Sequence, residues 1–166
     1  MSELISATLD SPVGKLYLLV RGETVLGLNH SGYRDLLSGL STEELKEKIG
    51  KASKIKGITD KLDDYFDGNL AAINSIKVKQ PGGAFSQAAW SSMRKIKAGT
   101  MGSYADLAYR AGSPAAVRSA GSACAKNKIA IIIPCHRIIK SDGSIGAYGG
   151  GVNMKMWLLR HEGAID

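Results

Sequence analysis

Cysteine is scarce in this 166-residue chain: Cys124 and Cys135 are the whole complement, eleven positions apart and in no CxxC spacing. That excludes a disulfide framework, gives no thiolate zinc site and points to a reducing compartment. Long apolar runs are missing too. No segment approaches the ~18 uninterrupted apolar residues of a membrane helix, and Met1 to Asp10 lacks a basic region followed by an apolar core. The expectation is therefore an intracellular protein with neither a membrane span nor a secretory leader. No internal repeat or low-complexity tract is present, and the length suits one medium domain or two small ones with a sizeable core. What is abundant is positive charge: 22 Lys and Arg against 15 acidic residues, net +7 with a pI near 9.4, which favours an anionic partner such as nucleic acid.

The first half reads as a small α/β unit. Strand-like runs at Lys15 to Val20 and Thr24 to Asn29 flank Arg21-Gly22-Glu23, after an earlier turn at Ser11-Pro12-Val13-Gly14, and predict a hairpin or meander. Ser41 and Glu44 stand at capping-box spacing ahead of Leu45 and Ile49, and Thr59 to Phe66 puts Leu62, Tyr65 and Phe66 on one helical face closed by Asp67-Gly68-Asn69. Pro81-Gly82-Gly83 marks the expected boundary, giving a structural α/β domain over 1–80 and a second domain over 81–166.

The second half is mostly helical by its spacing. Phe85, Ala89, Trp90, Met93 and Ile96 line one helix face that Gly99 terminates, a core pattern rather than a contact surface. Ser103 caps a helix beginning at Tyr104; Gly112-Ser113 then separates it from a helix opening at Pro114 and reaching about Ala125. Helix, short turn, helix is the outline of a DNA-binding motif, although helical hairpins also occur in proteins that never touch DNA. Ala115, Ala116, Ser119, Ala120, Gly121, Ser122 and Ala123 make that second helix small-sided, with Arg118 its one long cation. Such a face lets the backbone approach either a neighbouring helix or a DNA groove, and Arg118 is either solvated or aimed into the space of a displaced base.

Cys135 is the most informative residue. It lies in Ile133-Pro134-Cys135-His136-Arg137-Ile138, after the β-branched run Ile129 to Ile133, which predicts a strand buried on both faces that Pro134 ends. A cysteine among so many apolar neighbours is commonly a core residue. Against that stand His136, Arg137, the later Glu162 and the glycine-dense loop Gly143 to Gly151, because a thiol becomes nucleophilic only as thiolate and needs a base or cation nearby. Cys124 reads as a packing residue and His30 as a surface or packing histidine.

Taken together, Pro134-Cys135-His136-Arg137 with its flanking isoleucines, Ser103-Tyr104, Arg118 in the small-residue helix, Asn127, Gly146-Ala147-Tyr148-Gly149-Gly150 and Trp157-Leu158-Leu159 with His161-Glu162 resemble the O6-alkylguanine-DNA alkyltransferases over residues 84 to 163. The first 80 residues resemble that family's variable domain only through Ser11 to Gly14 and Leu62 to Gly68. The resemblance implies a ribonuclease H-like N-terminal sheet with helices, and a C-terminal domain with a winged-helix-like helix-turn-helix. It also implies direct reversal of damage, with the alkyl group of O6-alkylguanine or O4-alkylthymine moving to Cys135 in a single turnover. His136 would be the base, acting through a water because neighbours on an extended chain point apart, and Glu162 would orient it. Tyr104 would donate to the guanine ring nitrogen, Asn127 would brace the turn before the cysteine, and the carbonyls near Cys135 and Ile138 would read the amino group. Tyr148 and Gly149 would wall the base pocket; some relatives carry Ser at 149. Ser103, Ala115, Ala116, Ser119 and Ser122 would meet the minor groove of double-stranded DNA while Arg118 fills the site of a flipped-out base. The implied protein is a monomer with no cofactor, and without Cys before position 124 it lacks the zinc ligands of some relatives. Other classes remain open: a damage sensor, a regulator that binds DNA without chemistry, or a multiple-turnover cysteine hydrolase, for which no oxyanion hole is evident.

Overall fold

The computed structural model describes residues 2–166, and its backbone divides into two compact units, one up to Pro81 and one from Gly82 to Asp166. The architecture is mixed α/β.

The first unit is built on an antiparallel meander of β1 (Leu4–Ser11), β2 (Gly14–Arg21) and β3 (Thr24–Asn29). The meander is widened at its two edges by β4 (Ile49–Lys51), parallel to β1, and β5 (Lys77–Val78), parallel to β3, in the order β4-β1-β2-β3-β5. Central β2 buries Leu16, Leu18, Leu19 and Val20, so both of its faces are covered, and Leu19 packs with Leu4 and with Leu36 of α1 (Tyr33–Leu37). The expected capping box is present in α2 (Thr42–Leu45), where Ser41 accepts the Glu44 N–H and the Glu44 carboxylate accepts the Ser41 N–H. Ile49, however, is not on that helix. It pairs with Leu4 as part of β4, because a one-turn helix stabilised mainly at its cap ends where a sheet edge offers backbone partners. Helix α3 (Thr59–Phe66) buries Leu62 and Tyr65, and Gly68 at φ 111 lets the Gly68 and Asn69 N–H groups close on the Tyr65 and Asp64 carbonyls.

In the second unit α4 (Ala84–Met93) buries Ala89, Trp90 and Met93, with Ile96 just beyond it, and the Trp90 indole donates to the Ala123 carbonyl at 2.9 Å. Ser103 caps α5 (Tyr104–Arg110) through a reciprocal pair with Asp106. Gly112, at φ 93, and Ser113 close α5 onto the Tyr109 and Ala108 carbonyls. The next helix, α6 (Val117–Lys126), begins later than the sequence predicts: Pro114 and Ala115 lie in a turn in which the Ala116 N–H reaches the Ser113 carbonyl. Proline at a first turn is permitted, not required, and here it serves the turn. Residues Gly102 and Ser103 form β6, which pairs in parallel with β7 (Ile138–Ile139) and so fixes the start of α5 beside the segment that follows Cys135. Helix α7 (Val152–His161) ends with the Gly163 and Ala164 N–H groups on the Arg160 and Leu159 carbonyls, which holds Glu162 at its C-cap.

The Ile129 to Ile133 segment is not a strand. Ile129 makes a single bridge, Ile132 and Ile133 donate to Ala130 and Ile129, and Ile131 adopts φ 71, while every isoleucine of the run is buried. Apolar content reports burial but cannot separate a short buried strand from a buried turn. A β-branched residue at positive φ costs about 1–3 kcal/mol, so its surroundings must hold it there.

Candidate active site

That restraint comes from Asn127, the C-cap of α6. Its side chain accepts the Ile129 N–H at 3.0 Å, donates to the Ile133 carbonyl at 2.9 Å, and donates to Cys135 Sγ at 3.4 Å. One amide thus spans the turn and touches the thiol at its end. Cys135 opens a 3-10 turn, Cys135–Arg137, in which it is 9% exposed and His136 is fully buried.

His136 Nε2 lies 2.8 Å from Glu162 Oε2, and Arg137 clamps both carboxylate oxygens of Glu162 at 2.9 Å while donating a third bond to the Ile96 carbonyl at 2.7 Å. Gly99, at φ 89, permits this approach, since an added Cβ there would stand 3.0 Å from the Glu162 carbonyl oxygen. Burial pushes the Glu162 carboxyl up, but hydrogen bonds from His136 and Arg137 outweigh it and leave the group well below the usual carboxylate range. Burial pushes His136 down despite that carboxylate. A neutral imidazole facing an ionised carboxylate carries its proton on Nε2, which leaves the Nδ1 lone pair free to accept a proton. Arg137, a candidate partner for the thiolate in the sequence, is thus committed to Glu162.

The cation whose charge acts on the thiol is one that sequence reasoning missed. Lys155 is fully buried on α7, with Nζ donating to the Ile138 carbonyl at 2.6 Å and to the Ala147 carbonyl at 3.4 Å. Burial pushes the Cys135 thiol up, and the Asn127 hydrogen bond and the Lys155 charge offset this only in part, so the resting sulfur keeps its proton and needs a base. Cys124 is pushed up to about 12, chiefly by burial. Lys155 was findable: with Leu158, Leu159 and Glu162 it follows the spacing of one helix face, so the acid that orients His136 and the buried ammonium share a stripe.

Tyr104, at the first turn of α5, is partly buried, its acidity lowered by burial and then by the Cys124 and Cys135 charges; an added Cβ on Gly146 would stand 3.3 Å from its hydroxyl. Ile138 is buried in β7, where its carbonyl takes the Lys155 bond, and the Cys135 carbonyl takes the Ile138 N–H. Tyr148 is partly buried with its hydroxyl sealed from solvent, whereas Gly149 is exposed and an added Cβ would meet nothing within 4 Å, so serine is sterically free at that position. Ala115, Arg118, Ser119 and Ser122 are exposed and Ala116 partly so, while Ala120 and Ala123 turn inward. Ser103 spends its side-chain acceptor on the α5 cap. Among the described residues no group of His, Cys, Asp or Glu could hold a metal ion, and no helix is long and apolar enough to cross a membrane.

Residues 84–164 match the family model of the 6-O-methylguanine DNA methyltransferase DNA-binding domain. The chain is 36% identical to a methylated-DNA–protein-cysteine methyltransferase of Salmonella typhimurium over 98% of both chains, and 33% identical to one of Haemophilus influenzae over 98% of this chain and 88% of that one. The crystal structure of Mycobacterium tuberculosis OGT in complex with DNA superposes with a TM-score of 0.79 at 32% identity, covering 96% of this chain and 93% of that one. A mixed α/β chain with its one embedded thiol set against a His-Glu-Arg cluster is of the alkyltransferase class. It belongs to the methylated-DNA–protein-cysteine methyltransferase family.

Proposed function

We propose that this protein repairs DNA by direct reversal, transferring the alkyl group of O6-alkylguanine, and of O4-alkylthymine, to Cys135. The observation that carries the reading is the Asn127-braced thiol beside a neutral, buried imidazole whose far nitrogen is anchored on an ionised carboxylate.

Binding rests on charge and shape. From Gly82 onward eleven Lys and Arg face four acidic residues, which suits a polyanion and makes affinity salt-sensitive. The exposed small-sided face of α6, with Ser119 and Ser122, and the turn before it, with Ala115 and Ala116, enter the minor groove close to the DNA backbone, with Ser103 at the start of α5. The target nucleotide rotates out, at a cost of a few kcal/mol of stacking and pairing, and Arg118 takes its place.

In the pocket the Cys135 and Ile138 carbonyls each have a second lone pair for the guanine amino group, and Tyr148 and the Gly149 backbone amide line the side near O6. His136 draws the thiol proton through a water, and the resulting imidazolium is neutralised by Glu162. The thiolate attacks the alkyl carbon as the carbon–oxygen bond breaks, and Tyr104 donates to the ring nitrogen of the departing base. The product is a thioether with no easy hydrolytic route, so each chain acts once, as a monomer and without a cofactor. The first unit serves a structural role. The test is Cys135→Ala: it should lose all transfer from a duplex carrying O6-methylguanine yet bind that duplex as the parent does, and retained transfer would refute the assignment.

A further inference from the structure

Two buried side-chain polar atoms in the described residues have no hydrogen-bond partner, His136 Nδ1 and the Tyr148 hydroxyl oxygen. The large majority of such groups in folded proteins are satisfied, by protein or by ordered water, and a buried water makes about three hydrogen bonds. The two rings face each other edge-on, with centroids 6.5 Å apart and planes at 87°. Gly150 lies close against the Tyr148 ring: an added Cβ there would collide with Met154 Sδ and stand 3.0 Å from the tyrosine ring.

The chemistry of the two atoms is complementary. Glu162 holds the His136 proton on Nε2, so Nδ1 is an acceptor. Burial, then the Cys135 and Glu162 charges, push the Tyr148 phenol well up, so it remains a donor at neutral pH. An acceptor and a donor on facing rings, both closed off from solvent, call for a molecule that can serve both.

We propose that the Tyr148 hydroxyl is the third partner of the water that links Cys135 to His136, which makes Tyr148 a positioning residue of the proton relay in addition to a wall of the pocket. This rests on the relay set out under the proposed function. The Cys135 S–H proton passes to the water while a water proton passes to Nδ1. The S–H electron pair stays on sulfur, the products are thiolate and imidazolium, and the water is regenerated. Tyr148 keeps its own proton throughout. By donating to the water oxygen it orients the water and stabilises the partial hydroxide character that develops as Nδ1 takes the proton.

The experiment is the pH profile of Cys135 alkylation by iodoacetamide, which needs no DNA and no bound base and so stands even if repair activity is absent. Tyr148→Phe keeps the ring and removes only the hydroxyl. It should slow alkylation roughly tenfold, the value of one hydrogen bond to a charged group, and displace the profile to higher pH with an unchanged unfolding midpoint. In a His136→Asn background the same change should have no further effect, because the relay is already broken. A Tyr148→Phe protein with the parent's rate and profile would overturn the proposal, as would equal losses with and without His136.

Discussion

The two units of this molecule treat charge in opposite ways. Up to Pro81 eleven basic residues balance eleven acidic ones, and among the described residues every one of them is at least partly exposed. From Gly82 the balance is eleven to four, yet His136, Arg137, Lys155 and Glu162 are buried within 27 consecutive residues around Cys135. Buried ions seldom add stability over well-packed apolar groups, so a cluster of this kind indicates a site shaped for chemistry. In the first unit, by contrast, Arg21 reaches Glu44 and Glu47 at the surface, where solvent screens the interaction.

The sharpest way to break the contrast is Glu162→Gln. It strands the buried Arg137 guanidinium, and urea unfolding should show a loss of about 3–5 kcal/mol at neutral pH. Its pH dependence follows from the depressed carboxyl: the unfolded chain binds the proton first, so the contribution is complete above about pH 4.5 and disappears as pH falls toward the folded value. The parent should therefore lose stability more steeply on the acid side than the variant, and parallel acid limbs would contradict the reading. Asn127→Ala should come next, at about 2 kcal/mol, because it leaves the Ile129 N–H without its partner, leaves the Ile133 carbonyl with only the Cys135 N–H, and frees the strained turn at Ile131. Cys135 reactivity should fall with it, and a stable variant with normal thiol kinetics would show that the turn holds itself. Arg118→Ala should leave stability unchanged and slow repair of duplex DNA about tenfold or more while sparing reaction with free O6-benzylguanine, the difference being the few kcal/mol of base rotation it no longer offsets. Equal losses on both substrates would remove Arg118 from that role. Smallest of all, Glu47→Gln should shift the urea midpoint by no more than the uncertainty of the titration.

The same contrast explains what could be read in advance. Where residues are held by local chemistry, the sequence was legible: the Ser41–Glu44 capping box, the Ser103 cap, the span of α3, the α4 core face and the Gly112 turn follow from neighbours within a few positions. Where long-range partners decide, it was not. Strands β4 and β5 are three and two residues long and exist because a sheet edge was open to them, and β1 went unread because Ser6 and Thr8 interrupt its apolar pattern. Ile129 to Ile133 is misread as a strand for a related reason, since Asn127 bends it from outside the run. At the site, Cys135, His136, Glu162 and Asn127 are brought together as a set, whereas the commitment of Arg137 to Glu162 and the burial of Lys155 depend on α7 packing beside the cysteine turn.

The most direct test of a single-use thiol is stoichiometric. The protein should be incubated with increasing excess of duplex bearing one O6-methylguanine, and methyl groups per chain counted by intact and peptide mass spectrometry. The account predicts a plateau at one methyl per chain, all of it on Cys135, with an equal amount of guanine restored in the DNA. Repair that continues past one lesion per chain, or a methyl group carried elsewhere while Cys135 stays free, would contradict it.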